Sequence, residues 1–268
     1  MIPEKARDTL LSALKKGGET LLEHLGLTTD ATVKESISSV VTEADLAAEK
    51  VILEILLSTG DPYNIITEET GYMDGRSDYT WVVDPLDGTS NFAAGLPWFG
   101  VIIALFHKEL PVLGGMYLPV SRDIYMTEKD KGSWKNGEPI QVTDSDSLTE
   151  QLVAYSFDFS DTPGKTESEM EILKKLSKKV RNIRSTNSLV DFCYTADGRL
   201  GATLNQSTRI WDIAVPWLMI REGGGRVTDI QGKEIHFDMS AATFDQNYTI
   251  VASGAKLHGT LMLTIELK

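Results

Sequence analysis

The 268-residue sequence is poor in several kinds of residue, and each shortage closes off a class of chemistry. It holds one cysteine, Cys193, so no disulfide can form within the chain and a reducing compartment fits. Phe192 and Tyr194 flank that thiol, a setting for a core residue rather than a nucleophile. The four histidines, His24, His107, His236 and His258, are scattered without ligand spacing, so a zinc site is not expected. Basic residues are outnumbered, 26 Lys and Arg against 39 Asp and Glu, for a net charge of −13. Such a surface repels nucleic acid and anionic membranes, and neither is expected as a partner. No run approaches the roughly 18 apolar residues of a membrane span. The opening Met-Ile-Pro-Glu-Lys-Ala-Arg-Asp lacks the apolar region of a signal peptide, and a cytoplasmic location is expected. No internal repeat or low-complexity tract is present.

What is there is a sizeable apolar fraction, 41%, enough for one large core or two packed sub-domains. Residues 4–25 carry Leu10, Leu11, Leu14, Leu21, Leu22 and Leu25 at helical spacing, with Gly17-Gly18 as a possible kink. A second helix opens at Thr42-Glu43-Ala44-Asp45, where Thr42 and Asp45 fit a capping box, and ends at Gly60 and Pro62. Asn64 to Ile66 and Trp81 to Val83 are short apolar strands. Gly100 to Phe106 and Leu110 to Tyr117 form a buried hairpin, followed by a strand at Asp123 to Thr127. Asn136-Gly137 is a hairpin signal before Ile140 to Val142. Polar, acidic residues from Thr143 to Glu150 suggest a seam, with an N-terminal sub-domain over 1–142 and a C-terminal one over 143–268. Beyond it strands (152–157, 182–184, 200–204, 227–230, 248–253) alternate with helices (165–180, with Met170, Leu173 and Leu176 inward; 189–196; 212–222; from 255), which argues for a layered α/β half.

The chemistry gathers on acids at the ends of these elements. Trp81-Val82-Val83 runs into Asp84 and Asp87, three apart, and then into Gly88-Thr89-Ser90-Asn91. A strand ending in carboxylates, followed by a glycine turn with backbone N–H groups, suits a metal ion beside an anion. Glu68-Glu69 follows the strand at Asn64, and Trp211-Asp212 opens a helix. Each signal alone admits a plain structural reading: an Asp-Pro turn, a solvated loop, a helix cap at Asp45 or Asp212. Together, should they converge, they call for a cation, because a like-charge pair about 4 Å apart costs roughly 4 kcal/mol at an effective dielectric of 20. Hard divalent cations remove that cost, and all-oxygen ligands point to Mg²⁺ rather than zinc. Bound cations would also let a small phosphorylated substrate approach so acidic a surface.

Asp84-Pro85-Leu86-Asp87-Gly88-Thr89-Ser90-Asn91-Phe92 resembles the first signature of the inositol monophosphatase superfamily of Mg²⁺-dependent, lithium-sensitive phosphatases. Trp211-Asp212-Ile213-Ala214 through Glu222-Gly223-Gly224 resembles the second. Glu68-Glu69, Val41-Thr42-Glu43-Ala44-Asp45, Trp134-Lys135-Asn136-Gly137 and Ile250-Val251-Ala252-Ser253 are similar to further landmarks, so the match spans nearly the whole chain. The resemblance implies an αβαβα sandwich of the inositol monophosphatase/fructose-1,6-bisphosphatase type, with the site between two sheets, and a homodimer. It implies two or three Mg²⁺ ions on Glu68, Asp84, the Leu86 carbonyl, Asp87 and Asp212. It implies phosphate held by the N–H groups of Gly88, Thr89 and Ser90, and an in-line attack by a water deprotonated with the help of Thr89, Asp45 and Glu68.

Around the substrate the pattern departs from the inositol-specific members. Arg184-Ser185-Thr186-Asn187-Ser188-Leu189 replaces a small glycine-alanine segment, and Asn205 stands where inositol phosphatases place a glutamate. Ser39 stands where many members have an aspartate. Asn187, Ser188, Asn205, Arg209 and Arg184 are the candidate substrate contacts. The two arginines could bind a second phosphate or serve only in ion pairs. Ser90 replaces the lysine usual in members acting on 3′-phosphoadenosine phosphate. The expected activity is hydrolysis of a small polyol or sugar phosphate. The alternatives are fructose 1,6-bisphosphate, histidinol phosphate or 3′-phosphoadenosine phosphate as substrate, or a silent metal-binding module.

Overall fold

A computed structural model describes residues 2–25, 32–33, 40–41 and 43–266. The expectations placed on Ser39 and Thr42 lie outside the described residues. After helix α1 (Ala6–His24), a short ribbon pairs β1 (Thr32–Val33) with β2 (Val40–Val41) and leads to α2 (Glu43–Leu57). Eight strands then form the first large sheet: β3 (Asn64–Thr67), β4 (Gly71–Met73), β5 (Tyr79–Asp87), β6 (Gly100–His107), β7 (Leu110–Leu118), β8 (Asp123–Glu128), β9 (Gly132–Lys135) and β10 (Glu138–Pro139). Their order is β10-β9-β8-β7-β6-β5-β3-β4, antiparallel except where β3 runs beside β5. A five-residue helix, α3 (Thr89–Ala93), directly follows β5 after Gly88.

The second sheet holds β11 (Leu152–Ser156), β12 (Asn182–Arg184), β13 (Ala202–Thr208), β14 (Gly225–Thr228) and β15 (Tyr248–Gly254), in the order β12-β11-β13-β15-β14. The first three are parallel, with α4 (Lys165–Leu176) and α5 (Leu189–Ala196) as crossovers. The last two run antiparallel to their neighbours, after α6 (Ile210–Glu222) and before α7 (Ala255–Ile265).

Side-chain alternation along the strands assigns the layers. On β5 and β6, Trp81, Val83, Val101, Ile103 and Leu105 face α1 and α2, while Val82, Ile102, Ala104 and Phe106 face α5 and α6. Ile250 and Ala252 of β15 close the far side of that middle layer, and Val251 points to the outer core under α4 and α7. The molecule is therefore the expected αβαβα sandwich. Sandwiching explains why α6 is buried almost all round, from Ile213 through Ile220: both sheets press on it.

Four local expectations are corrected. Gly17-Gly18 does not interrupt α1, which runs unbroken from Ala6 to His24. A Cβ on Gly17 would lie 2.8 Å from Ile52 and one on Gly18 2.3 Å from the Tyr117 ring, so the pair lets the helix lie close on α2 and β7. The hairpin strand is Glu138–Pro139, not Ile140–Val142. Asn136 and Gly137, with φ of 51° and 87°, make a two-residue turn that pairs Lys135 with Glu138 at once. The 165–180 helix ends at Leu176, and its inward stripe is Glu169, Ile172 and Leu176, which leaves Met170 exposed. The strand expected at 200–204 begins later and runs to Thr208, which carries Asn205 and Ser207 to the edge of the site.

Candidate active site

The site is built on β5. In a regular strand, residues three apart point to opposite faces. Here the pairing with β6 runs Asp84↔Ile102 and then Asp87↔Gly100, so β5 spends one residue more than its partner. This bulge, at Pro85-Leu86, turns Asp84 and Asp87 toward the same side. Proline suits it, having no N–H to give to the ladder. Asp84 lies on the face of Val82, toward α6, and its Oδ1 accepts the Leu86 N–H at 3.0 Å.

α6 brings the third acid. Asp212 is not the helix cap that its position suggested. The cap is Arg209, and Asp212 sits one turn in, accepting the Arg209 N–H at 2.6 Å. α5 anchors the second acid, because the Leu189 N–H at its start donates to Asp87 Oδ1. Carboxylate oxygens of Asp84, Asp87 and Asp212 come within 4.8 Å of one another. Glu68, just past β3 with its N–H on the Val83 carbonyl, lines the same cleft beside this triple.

Crowding burial and like charge together makes these acids hard to ionise without a cation. Burial, then the Glu68 and Asp87 charges, push Asp84 far above the usual carboxylate range. Burial, then the Asp87 charge, do the same to Asp212. Asp87 is raised to about 7 by burial, against the opposing Leu189 hydrogen bond. A set of convergent carboxylate oxygens with raised pKa values fits a hard divalent cation.

The cleft, about 150 Å³, opens beside this triple at the C-terminal ends of β3, β5, β11 and β13, where ligands bind in layered α/β folds. Of the candidates read from sequence, Glu68, Asp84, Leu86, Asp87, Gly88, Thr89, Asn187, Ser188, Asn205 and Asp212 line it. Gly88 has φ +85°, and a Cβ there would meet the Trp98 carbonyl at 2.5 Å, so only glycine fits this approach. The Thr89 hydroxyl donates to the Leu86 carbonyl at 2.9 Å. Asp45 is fully buried in the first turn of α2, behind the cleft and within electrostatic reach of Asp84. Ser90, Arg184 and Arg209 do not line the cleft. Arg184 is exposed and donates to the Ile183 carbonyl, while the Arg209 charge acts on Asp212.

The structure adds residues that the sequence reading passed over. Asp158, Asp191, Ser156 and Ser207 line the cleft. Asp191 is 2% exposed and accepts the Ser156 hydroxyl and the Thr186 N–H, both at 3.0 Å, so it shapes the segment before α5. Ser188-x-x-Asp191 is a capping pattern that could have marked it. Nothing in the local sequence marks Asp158.

Comparison with known proteins agrees with this geometry. Residues 3–266 match the inositol monophosphatase family. An inositol-1-monophosphatase from Caulobacter vibrioides is 32% identical over 94% of this chain and 98% of its own length. A fructose-1,6-bisphosphatase/inositol-1-monophosphatase from Thermococcus kodakarensis is 34% identical over 86% and 85%. The crystal structure of the extragenic suppressor protein suhB from Bartonella henselae superposes with a TM-score of 0.89 at 27% identity, covering 98% of this chain and 99% of that one. The bulged strand with its two aspartates, the glycine turn after it and the aspartate at the start of α6 thus sit in a fold shared from end to end, and the chain belongs to the inositol monophosphatase family.

Proposed function

We propose that the protein is a Mg²⁺-dependent phosphomonoesterase acting on a small polyol or sugar phosphate. The observation that carries this reading is the convergence of Asp84, Asp87 and Asp212 within 4.8 Å, directly beside the Gly88-Thr89 turn. Glu68, Asp84, the Leu86 carbonyl, Asp87 and Asp212 would hold two or three Mg²⁺ ions. Such ions, when bound, neutralise phosphoryl and leaving oxygens and acidify an attacking water.

The remaining work falls to the chain itself. N–H groups in the first turn of a helix point outward along its axis, so those of Gly88, Thr89 and Ser90 would take phosphate oxygens. Because the Thr89 hydroxyl gives its hydrogen to the Leu86 carbonyl, its oxygen is the end able to accept a hydrogen bond from the attacking water. Glu68, in the same cleft, would take up that water's proton, and buried Asp45 would hold the adjoining wall in place. Asn187, Ser188 and Asn205 would face the alcohol portion of the substrate.

The test is phosphate release by the purified protein from inositol 1-phosphate, fructose 1,6-bisphosphate, histidinol phosphate, 3′-phosphoadenosine 5′-phosphate and glycerol 2-phosphate, with and without Mg²⁺. Mg²⁺-dependent release from at least one ester is expected. Asp84→Asn and Asp212→Asn should each cut it by about a hundredfold or more, the several kcal/mol that metal charge stabilisation supplies. Metal binding with no release from any ester would favour a silent module instead.

A further inference from the structure

The end of the cleft formed by β11, β13 and the segment before α5 carries a carboxylate of its own. Asp158 lies two residues past Ser156, which pairs in register with Asn205 on the neighbouring parallel strand. It is half-buried, and its Oδ1 accepts the Asn187 Nδ2 hydrogen at 2.6 Å. Among the described residues this is the one hydrogen bond that Asp158 receives. Asn187 holds it from a left-handed backbone, φ +51°, a conformation that asparagine tolerates better than most residues. Beside it, the Asn205 side-chain oxygen takes the Ser207 N–H at 2.8 Å, which orients that amide.

Among the described residues, no lysine or arginine lines the cleft. Lys165 donates to the Ser207 hydroxyl and lies 4.0 Å from the buried carboxylate of Glu169, and it does not line the cleft. Neither do Arg184 and Arg209. This end of the cleft therefore offers hydrogen-bond acceptors and negative charge. An ionised carboxylate accepts and never donates. It suits hydroxyl groups and repels a second phosphate.

We infer that Asp158 is a specificity-determining residue, one that accepts hydrogen bonds from hydroxyls on the alcohol part of the substrate and disfavours bisphosphates. The inference rests on the phosphomonoesterase reading above and narrows it to monophosphates of hydroxyl-bearing alcohols.

A matched pair of esters tests it: glycerol 2-phosphate and isopropyl phosphate share a carbon skeleton and differ in two hydroxyls. The wild-type protein should prefer glycerol 2-phosphate by about tenfold or more in kcat/KM, as a hydrogen bond to a charged group predicts. Asp158→Ala should erase most of that preference, leave isopropyl phosphate within about threefold of wild type, and raise relative turnover of fructose 1,6-bisphosphate. Asp158→Asn keeps an acceptor oxygen without the charge and should retain part of the preference. An unchanged ratio in Asp158→Ala overturns the inference and leaves the phosphatase reading standing. An equal fall on both esters, or a raised Mg²⁺ requirement, overturns it by assigning Asp158 to structure or metal. Absence of Mg²⁺-dependent release from both esters by the wild-type protein overturns this inference, and the phosphatase reading falls with it only when the five-ester panel above also gives no release.

Discussion

Glu49 grips Thr70 at two points: its Oε1 takes the Thr70 N–H at 3.0 Å and its Oε2 the Thr70 hydroxyl at 2.8 Å. Glu49 is 5% exposed and stands one helical turn after Asp45, on the same side of α2. Thr70 closes the turn that holds Glu68. The helix thus steadies the mouth of the site from behind, through a residue that does not line the cleft. Glu49→Ala should weaken Mg²⁺ binding measured by calorimetry and lower kcat with little change in KM. Hydrogen bonds to a charged group contribute about 1.5–3 kcal/mol, so Thr70→Val, which keeps the N–H, should show a smaller loss. Thr70→Ser should restore nearly all of it. Unchanged Mg²⁺ affinity in Glu49→Ala would mean that the clamp serves stability alone.

The acid triple sets a pH signature. The folded-state pKa of Asp87 is raised to about 7, above its unfolded value near 3.8. The folded, metal-free protein therefore binds more protons than the unfolded chain between those values, and this term loses stability as pH rises from about 4 through 7. Raised values at Asp84 and Asp212 act in the same direction. Mg²⁺ bound as proposed would displace those protons, so its stabilising effect should be larger at pH 8 than at pH 5.5. Thermal melts with EDTA or Mg²⁺ at both pH values read this directly. An equal shift at both pH values would argue against proton-linked binding in the cleft.

Gly88→Ala should fail for two reasons. The residue has φ +85°, and the new Cβ would meet the Trp98 carbonyl at 2.5 Å and the Ser188 Cβ at 3.2 Å. The left-handed conformation alone costs about 1–3 kcal/mol. Urea unfolding should show a loss of that order, and inhibition by inorganic phosphate should weaken as the turn shifts away from the anion.

His258, which does not line the cleft, supplies a pH term of opposite sign. It is 2% exposed, with Nδ1 on the Ser253 hydroxyl at 2.8 Å and Nε2 on the Thr228 hydroxyl at 3.0 Å. Burial, with help from the Arg226 charge, lowers its pKa from 6.5 to about 4. Its contribution is present above pH 6.5 and lost as pH falls toward 4, on the order of 2–3 kcal/mol. His258→Gln should flatten the acid limb of the stability curve, read as the difference from wild type in urea melts at pH 4.5 and 7.5. A parallel pair of curves would sink the assignment.

Much of the fold was legible because it rests on local periodicity. Continuous apolar runs at 81–83 and 100–106 marked strands, leucine spacing marked α1, and Asn136-Gly137 marked a turn whose chemistry needs no distant partner. Errors fell where packing overrode a local rule. Gly17-Gly18 reads as a break in isolation, yet it is an approach surface once Ile52 and Tyr117 lie against it. Met170 reads as inward until the sheet selects the Glu169, Ile172, Leu176 stripe.

The sequence by itself determined the chemical inventory: acids at strand and helix ends, a glycine turn after Asp87, no cysteine or histidine cluster, and a signature running from Asp84 to Phe92. Only the tertiary structure decided which of these meet. The β5 bulge shows only against β6, because a register shift is a property of two strands. Asp212 reaches Asp87 because α6 is trapped between two sheets, and Asp158 enters the cleft because β11 lies in register beside β13. Side-chain periodicity is written into one segment at a time, whereas convergence depends on how segments far apart in the chain bury one another.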